Sequence, residues 1–275
     1  MTRVRLALVL VLLVAVTALA HAQWGRRFGR FRFPPRYATE QSFDGRFNFC
    51  RLQYASSYRE AGGQGWTTDY PDADINFSIR LSELTKTRIS RQDNGDPNHL
   101  VVRATDEALF SCPFLLASDV GTMTLQPDEA EALREYFLKG GFLWVDDFWG
   151  PWAWDNWASE IGKVLPQAQY PITDLPPEHP IYRTLFPVAT LPQVPSIQFW
   201  RQTGGRYTSE RGAESDQPHL RGISDKNGHL MVLMTHNTDI SDAWEREGED
   251  PRFFYSFSPQ GYAVGLNVAI YAMTH

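Results

Sequence analysis

Apolar residues fall into short compact runs separated by polar stretches rich in glycine and proline. Phe47-Asn48-Phe49-Cys50-Arg51-Leu52 predicts a first strand, and the Gly- and Ser-rich stretch 54–66 predicts a loop. Ile75, Ile79 and Phe77, Leu81, Leu84 then recur at helical spacing. Asp69, Asp72 and Asp74 precede or open that helix. Carboxylates there cap free N–H groups and suit the helix dipole, a role preferred to calcium binding. Short strands are expected around 88–90 and 100–102, and Phe114–Ala117 reads as a buried strand running into Ser118-Asp119-Val120-Gly121.

The clearest helix follows. Pro127 opens it, Asp128 and Glu129 lie in its first turn, and Leu133, Tyr136 and Phe137 line its core face. Lys139 and Gly140-Gly141 close it, and the apolar run Phe142–Val145 is a strand ending in Asp146-Asp147. A helix is expected over 158–165, a turn at Asp225–Gly228 leads into a strand over Leu230–Thr235, and Tyr262–Met273 has an apolar helical pattern. Near-continuous apolar strands alternating with helices predict an α/β fold: a mostly parallel sheet with helices on both faces. No internal repeat and no second core is visible.

The N-terminus has another pattern. Arg3 and Arg5 precede the apolar run Leu6–Ala20, which ends in small residues of A-x-A type at Ala18–Ala20 or Ala20–Ala22. That order predicts a cleavable signal peptide over 1–22 and an exported protein, periplasmic or extracellular. The alternative is an uncleaved anchor, for which the run is short. Residues 23–45 form an arm in which Arg26, Arg27, Arg30, Arg32 and Arg36 interleave with Phe28, Phe31 and Phe33. It reads as a mobile leader or a contact for anionic membrane or a partner. The domain is expected over 46–275, with no further transmembrane segment.

The net charge of −6, made more acidic by loss of the leader arginines, argues against nucleic-acid binding. Cys50 and Cys112 are the only cysteines. Outside the cytoplasm they can form one disulfide, worth about 4 kcal/mol for so long a loop. The other reading is two buried thiols in neighbouring strands.

Ligands of open parallel sheets bind outside the C-terminal strand ends. Three such ends carry polar groups: Asp119, then Asp146 and Asp147, then the segment His236–Glu247 with Asn237, Asp239, Trp244 and Glu245. Successive strand residues face opposite ways. One of Asp146 and Asp147 is therefore expected at the rim, as base, ligand or loop organiser, and the other bonded to a neighbouring loop. Asp147, His236 and Asp239 are the candidates for catalysis. Asp119, Asp146, Asp147, Asn237, Trp244 and Glu245 are the candidates for ligand binding. Trp244 would stack on a flat ligand or sit in the core as an aromatic anchor. No histidine pair stands at metal-ligand spacing, so no metal ligands are assigned and the cofactor stays unknown. There is no G-x-S-x-G elbow and no Gly-rich phosphate loop.

Asp69-Tyr70-Pro71-Asp72-Ala73-Asp74, the run Tyr136–Asp147, His179-Pro180-Ile181-Tyr182, His236-Asn237 and Gly265-Leu266-Asn267-Val268 together resemble the bacterial domain-of-unknown-function family 4159. The likeness covers about 45–275. The family resembles class I glutamine amidotransferase-like folds, which implies a flavodoxin-like three-layer architecture. Larger members of the family carry this domain at the end of membrane proteins, so the resemblance implies a stand-alone exported form here. In amidotransferases a catalytic cysteine follows the Gly-Gly strand. Here the turn reads Asp146-Asp147-Phe148-Trp149-Gly150, so glutaminase chemistry is not expected. The expectation is an exported domain that binds a polar ligand or an envelope partner at its sheet rim. The alternatives are a hydrolase using a carboxylate and His236, with or without a metal, and an envelope scaffold acting through the basic arm.

Overall fold

The structure, a computed structural model, describes residues 34–59 and 63–275. The expected leader and the arginine-rich part of the arm up to Phe33 lie outside the described residues. In chain order the strands are β1 (Phe49–Gln53), β2 (Ala55–Ser56), β3 (His99–Arg103), β4 (Phe114–Ser118) and β5 (Met123–Thr124). They continue as β6 (Phe142–Phe148), β7 (Thr173–Asp174), β8 (His219–Ser224) and β9 (Leu230–His236). The helices are α1 (Asp72–Leu84), α2 (Pro127–Leu138), α3 (Gly150–Val164), α4 (Ile197–Gln202), α5 (Asp242–Glu245) and α6 (Pro251–Thr274).

One sheet runs β3-β1-β4-β6-β9-β8-β7. From β3 to β9 every pairing is parallel, and β8 and β7 extend the sheet by antiparallel pairing. Taken along the chain, the parallel strands lie in the order second, first, third, fourth, fifth, the winding of flavodoxin-like sheets. Its switch point falls between β1 and β4. The strands are apolar on both faces because both are covered. Leu115, Ala117, Leu143 and Val145 face α2 and α3 through Leu133, Phe137, Trp157 and Ile161. Phe114, Leu116, Phe142 and Trp144 face α1, α5 and α6 through Phe77, Trp244 and Leu266.

Local chemistry explains the element ends. Pro127 starts α2 with a Gln126–Glu129 capping box. At Gly141 the Tyr136 ring lies where a Cβ would stand, so the turn into β6 needs glycine. Helix α3 starts at Gly150, not 158, because Asn237 Oδ1 accepts from the Gly150 amide at 2.8 Å. Helix α6 starts at Pro251, not 262. Asp250 caps it, and Pro259 lies inside it and masks its first half in the sequence. The segment 88–90 makes only the isolated bridge of Ile89 to Phe47 rather than a strand.

Two further features bear on the chain's organisation. Arg36–Ala38 pair with Val101 of β3, through Ala38 N to Val101 O at 3.0 Å and Val101 N to Arg36 O at 2.8 Å. Arg36–His275 form one compact unit. Of the two readings for the cysteines, pairing is the one found: Cys50 and Cys112, both fully buried, form a disulfide with Cα atoms 6.1 Å apart. Among the described residues no helix is long and apolar enough to cross a membrane.

Candidate functional site: a carboxylate cleft at the strand ends

The non-glycine residues with left-handed backbone among those described are Asp69 (φ 64°), Asp119 (φ 55°), Asp147 (φ 56°) and Asn237 (φ 62°). Three of them follow directly on, or close, β4, β6 and β9, and Asp69 lies between β1 and α1. This conformation costs most L-residues about 1–2 kcal/mol and Asp or Asn least. It turns the chain sharply at each strand end. Backbone bonds stitch these turns together: Asp119 N to Asp146 O at 3.0 Å, Asp147 N to Thr238 O at 3.2 Å, Asn237 N to Phe148 O at 3.0 Å.

The turns surround a cleft of about 240 Å³. Asp69, Asp119, Asp147, Asp239 and Asp242 line it, with Trp149 as its aromatic wall. Asp147 is half-buried, and its Oδ1 accepts from the Trp149 indole N–H at 2.9 Å. Burial, then the charges of Asp69, Asp119 and Glu210, push its carboxyl well above the ordinary carboxylate range. Asp239 Oδ1 accepts from the Asp242 amide at 2.9 Å. Burial, then Asp147 and Asp69, raise its pKa strongly as well. Asp69 is 7% exposed, and its Oδ2 is buried with no hydrogen-bond partner among the described residues. Burial raises its pKa, against the pull of Arg51 and Arg246 and of the neighbouring Glu245 carboxyl, which can share a proton with it.

Arg51 underlies the cleft from the middle of β1. It is fully buried and pairs with Asp74 through Nε and Nη2, while Nη1 donates to Thr68 O at 2.8 Å and Ser118 Oγ at 3.1 Å. At the other edge Arg246 Nε lies 2.7 Å from Glu245 Oε2 and 3.4 Å from Asp242 Oδ1. Asp242 Oδ2 also accepts from the Ile197 amide at 2.6 Å. Burial, then Asp69, push Asp242 up to about 7 and Glu245 up to about 10.

Two sets of carboxylates have ligand atoms within 4.8 Å of one another: Asp69, Asp147 and Asp239, and Asp69, Asp242 and Glu245. Oxygen-only sets of this kind suit hard cations. Asp69 belongs to both, although its sequence context predicts a helix cap. It makes no cap to α1, whose N-cap position is Pro71 with no side-chain hydrogen bond.

The other expected site residues are placed differently. Asp146 is the partner turned inward: it accepts from Thr235 Oγ1 at 2.6 Å and from Ser241 N and Oγ at 2.8 Å each. Asn237 organises the turn, accepting from Gly150 N and donating to Gln217 O. Trp244 is fully buried against Phe77, Trp144 and Tyr262, so it is the core aromatic and not a ligand platform. His236 is not among the residues lining the cleft; its ring lies with Phe148, Trp154 and His219. Glu210 and Arg211, from the loop between α4 and β8, do line it. A larger hollow of about 770 Å³ lies at the opposite end, where β6 and β9 begin, and gathers no comparable set of carboxylates.

Residues 48–273 match the model of a family described as Domain of unknown function (DUF4159). No curated protein matches the chain.

Proposed function

The chain belongs to the DUF4159 family, and we propose that it is an exported binding domain that takes a polar, uncharged or cationic ligand, such as a glycan or peptide fragment, or an envelope partner, in the carboxylate cleft. The observation that carries this reading is the convergence of Asp69, Asp119, Asp147 and Asp239 on one cleft at the C-terminal strand ends, where open α/β sheets bind ligands. The excess of carboxylates disfavours anionic ligands such as nucleotides, through like-charge repulsion. The buried disulfide supports export, since such bonds persist in oxidising compartments. The strand order and the helix–Gly-Gly–strand unit support an amidotransferase-like architecture, while Asp147 near the end of β6, with no cysteine beside it, supports the absence of glutaminase activity. A hydrolase built on this cleft would have to activate water with a carboxylate, with or without a metal, and without His236, whose ring nitrogens are engaged elsewhere.

A thermal-shift screen of the protein against glycans, peptides and nucleotides tests the reading. A neutral or basic class should raise the melting temperature in proportion to ligand concentration, and Asp147→Asn should abolish the shift. A response confined to nucleotides, or one that Asp147→Asn and Asp119→Asn leave intact, would move the site elsewhere.

A further inference from the structure

The carboxylates of the cleft are not equally satisfied. Asp242 and Glu245 pair by charge with Arg246, although Glu245 Oε2 makes no hydrogen bond among the described residues, and Asp242 takes the Ile197 amide besides. Asp147 and Asp239 face mainly other carboxylates: Asp69, Asp119 and Glu210 act on Asp147, while Asp147, Asp69, Asp242 and Asp146 act on Asp239. Between them stands Asp69, over nine-tenths buried, its Oδ2 without a hydrogen-bond donor among the described residues and its carboxyl close to that of Glu245. A buried acceptor left unmatched is costly, and so is a group of like charges a few ångströms apart in a dry site. A single hard cation removes both penalties at once.

We propose that Asp69, Asp147 and Asp239 bind a divalent oxygen-seeking cation, calcium, magnesium or manganese, at the floor of the cleft. Their carboxylate oxygens already lie within 4.8 Å of one another, and metal–oxygen distances of about 2.0–2.6 Å place such a group around one ion. No histidine or thiolate joins the set, so zinc and copper are disfavoured. Three carboxylates leave positions to fill, and Trp149 lines the same cleft. The ion would then present its remaining positions to hydroxyl or carbonyl oxygens of the ligand. The assignment also explains why aspartate, and not a neutral residue, occupies the left-handed positions 69 and 147.

The inference rests on the cleft being the binding site, yet it is tested with metal alone. Full-chain protein is treated with EDTA, dialysed and titrated calorimetrically with calcium, magnesium and manganese chlorides. One equivalent should bind, with a concentration-dependent rise in melting temperature. Asp69→Asn, Asp147→Asn and Asp239→Asn should each weaken binding at least about tenfold, as expected for lost carboxylate ligands. Asparagine tolerates the left-handed backbone, so in EDTA these variants should melt no lower than the wild type. Asp242→Asn should bind nearly as wild type, and loss confined to that variant would overturn the assignment of the three ligands. So would the absence of binding by the wild type up to about 10 mM, above the weak end of protein calcium sites. The two readings separate cleanly. Cation binding without any glycan or peptide response supports the ion and sinks the ligand. A ligand response undiminished in EDTA, with no cation bound, does the reverse.

Discussion

At His236, Nε2 lies 3.1 Å from the Gly150 carbonyl and Nδ1 lies 3.3 Å from Nη1 of Arg221. The neutral ring therefore donates from Nε2 and accepts at Nδ1, and a second proton would face a guanidinium. Burial, reinforced by Arg221 and His219, lowers its pKa to about 4. The unfolded chain takes up that proton near the ordinary value of about 6.5. His236 thus leaves stability untouched above about 6.5 and removes it as pH falls from there toward 4, at roughly 1.4 kcal/mol per unit. Urea midpoints measured across that window should fall for the wild type and fall less steeply for His236→Gln. Parallel curves would refute the shift. The same residue shows where sequence reading stops. A histidine after a buried strand, close to Asp239, looks like a base, and only the packing of Phe148 and Trp154 assigns it to the fold. Asp69 is the converse: beside Asp72 and Asp74 it reads as a cap, because nothing local records that β4, β6 and β9 bring their carboxylates to it. Asp119, Asp147 and Asp239 were legible because each follows a strand that the apolar pattern marks.

Helix α2 and strand β6 were visible element by element, since Pro127, the Leu133–Phe137 face and Gly140-Gly141 punctuate one unit without contradiction. Helix α6 was half visible, because Pro259 and Gly261 argue locally against a helix that packing enforces. Its glycines have a tertiary reason. A Cβ on Gly265 would fall inside the rings of Trp244 and Phe77, and one on Gly261 would meet the Ala243 side chain. Their absence lets α6 ride close over α5 and α1, where Trp244 fills the space between the helices and the sheet. Gly265→Ala should therefore destabilise by about 1–3 kcal/mol through overpacking, although alanine favours a helix over glycine by about 1 kcal/mol. Chemical denaturation followed by tryptophan fluorescence checks both the size and the place of the effect. A variant more stable than the wild type would mean that propensity, and not close approach, governs this position.

Across the whole molecule, one covalent link ties two neighbouring strands of the sheet, β1 and β4, together. The disulfide joins β1 to the residue pair preceding β4, across a sequence separation of 62 residues. Within that loop lie Asp69, α1 and the edge strand β3. The parallel pairing of β1 with both β3 and β4 needs long crossovers, which are entropically slow to close. The bond shortens one of them in the unfolded chain and leaves the native hydrogen bonding unchanged. The sequence left pairing and two buried thiols open, because both cysteines lie in or beside apolar runs and only strand order brings them together. Chain entropy puts the stabilisation at about 4 kcal/mol for a loop of this length. Replacing both cysteines, Cys50→Ala with Cys112→Ala, should lower the unfolding free energy by that order, and reductant should reproduce the loss in the wild type while leaving the double variant unchanged. Identical denaturation curves for oxidised and reduced wild type would refute the account. They would also remove the support that the disulfide lends to the export proposed above.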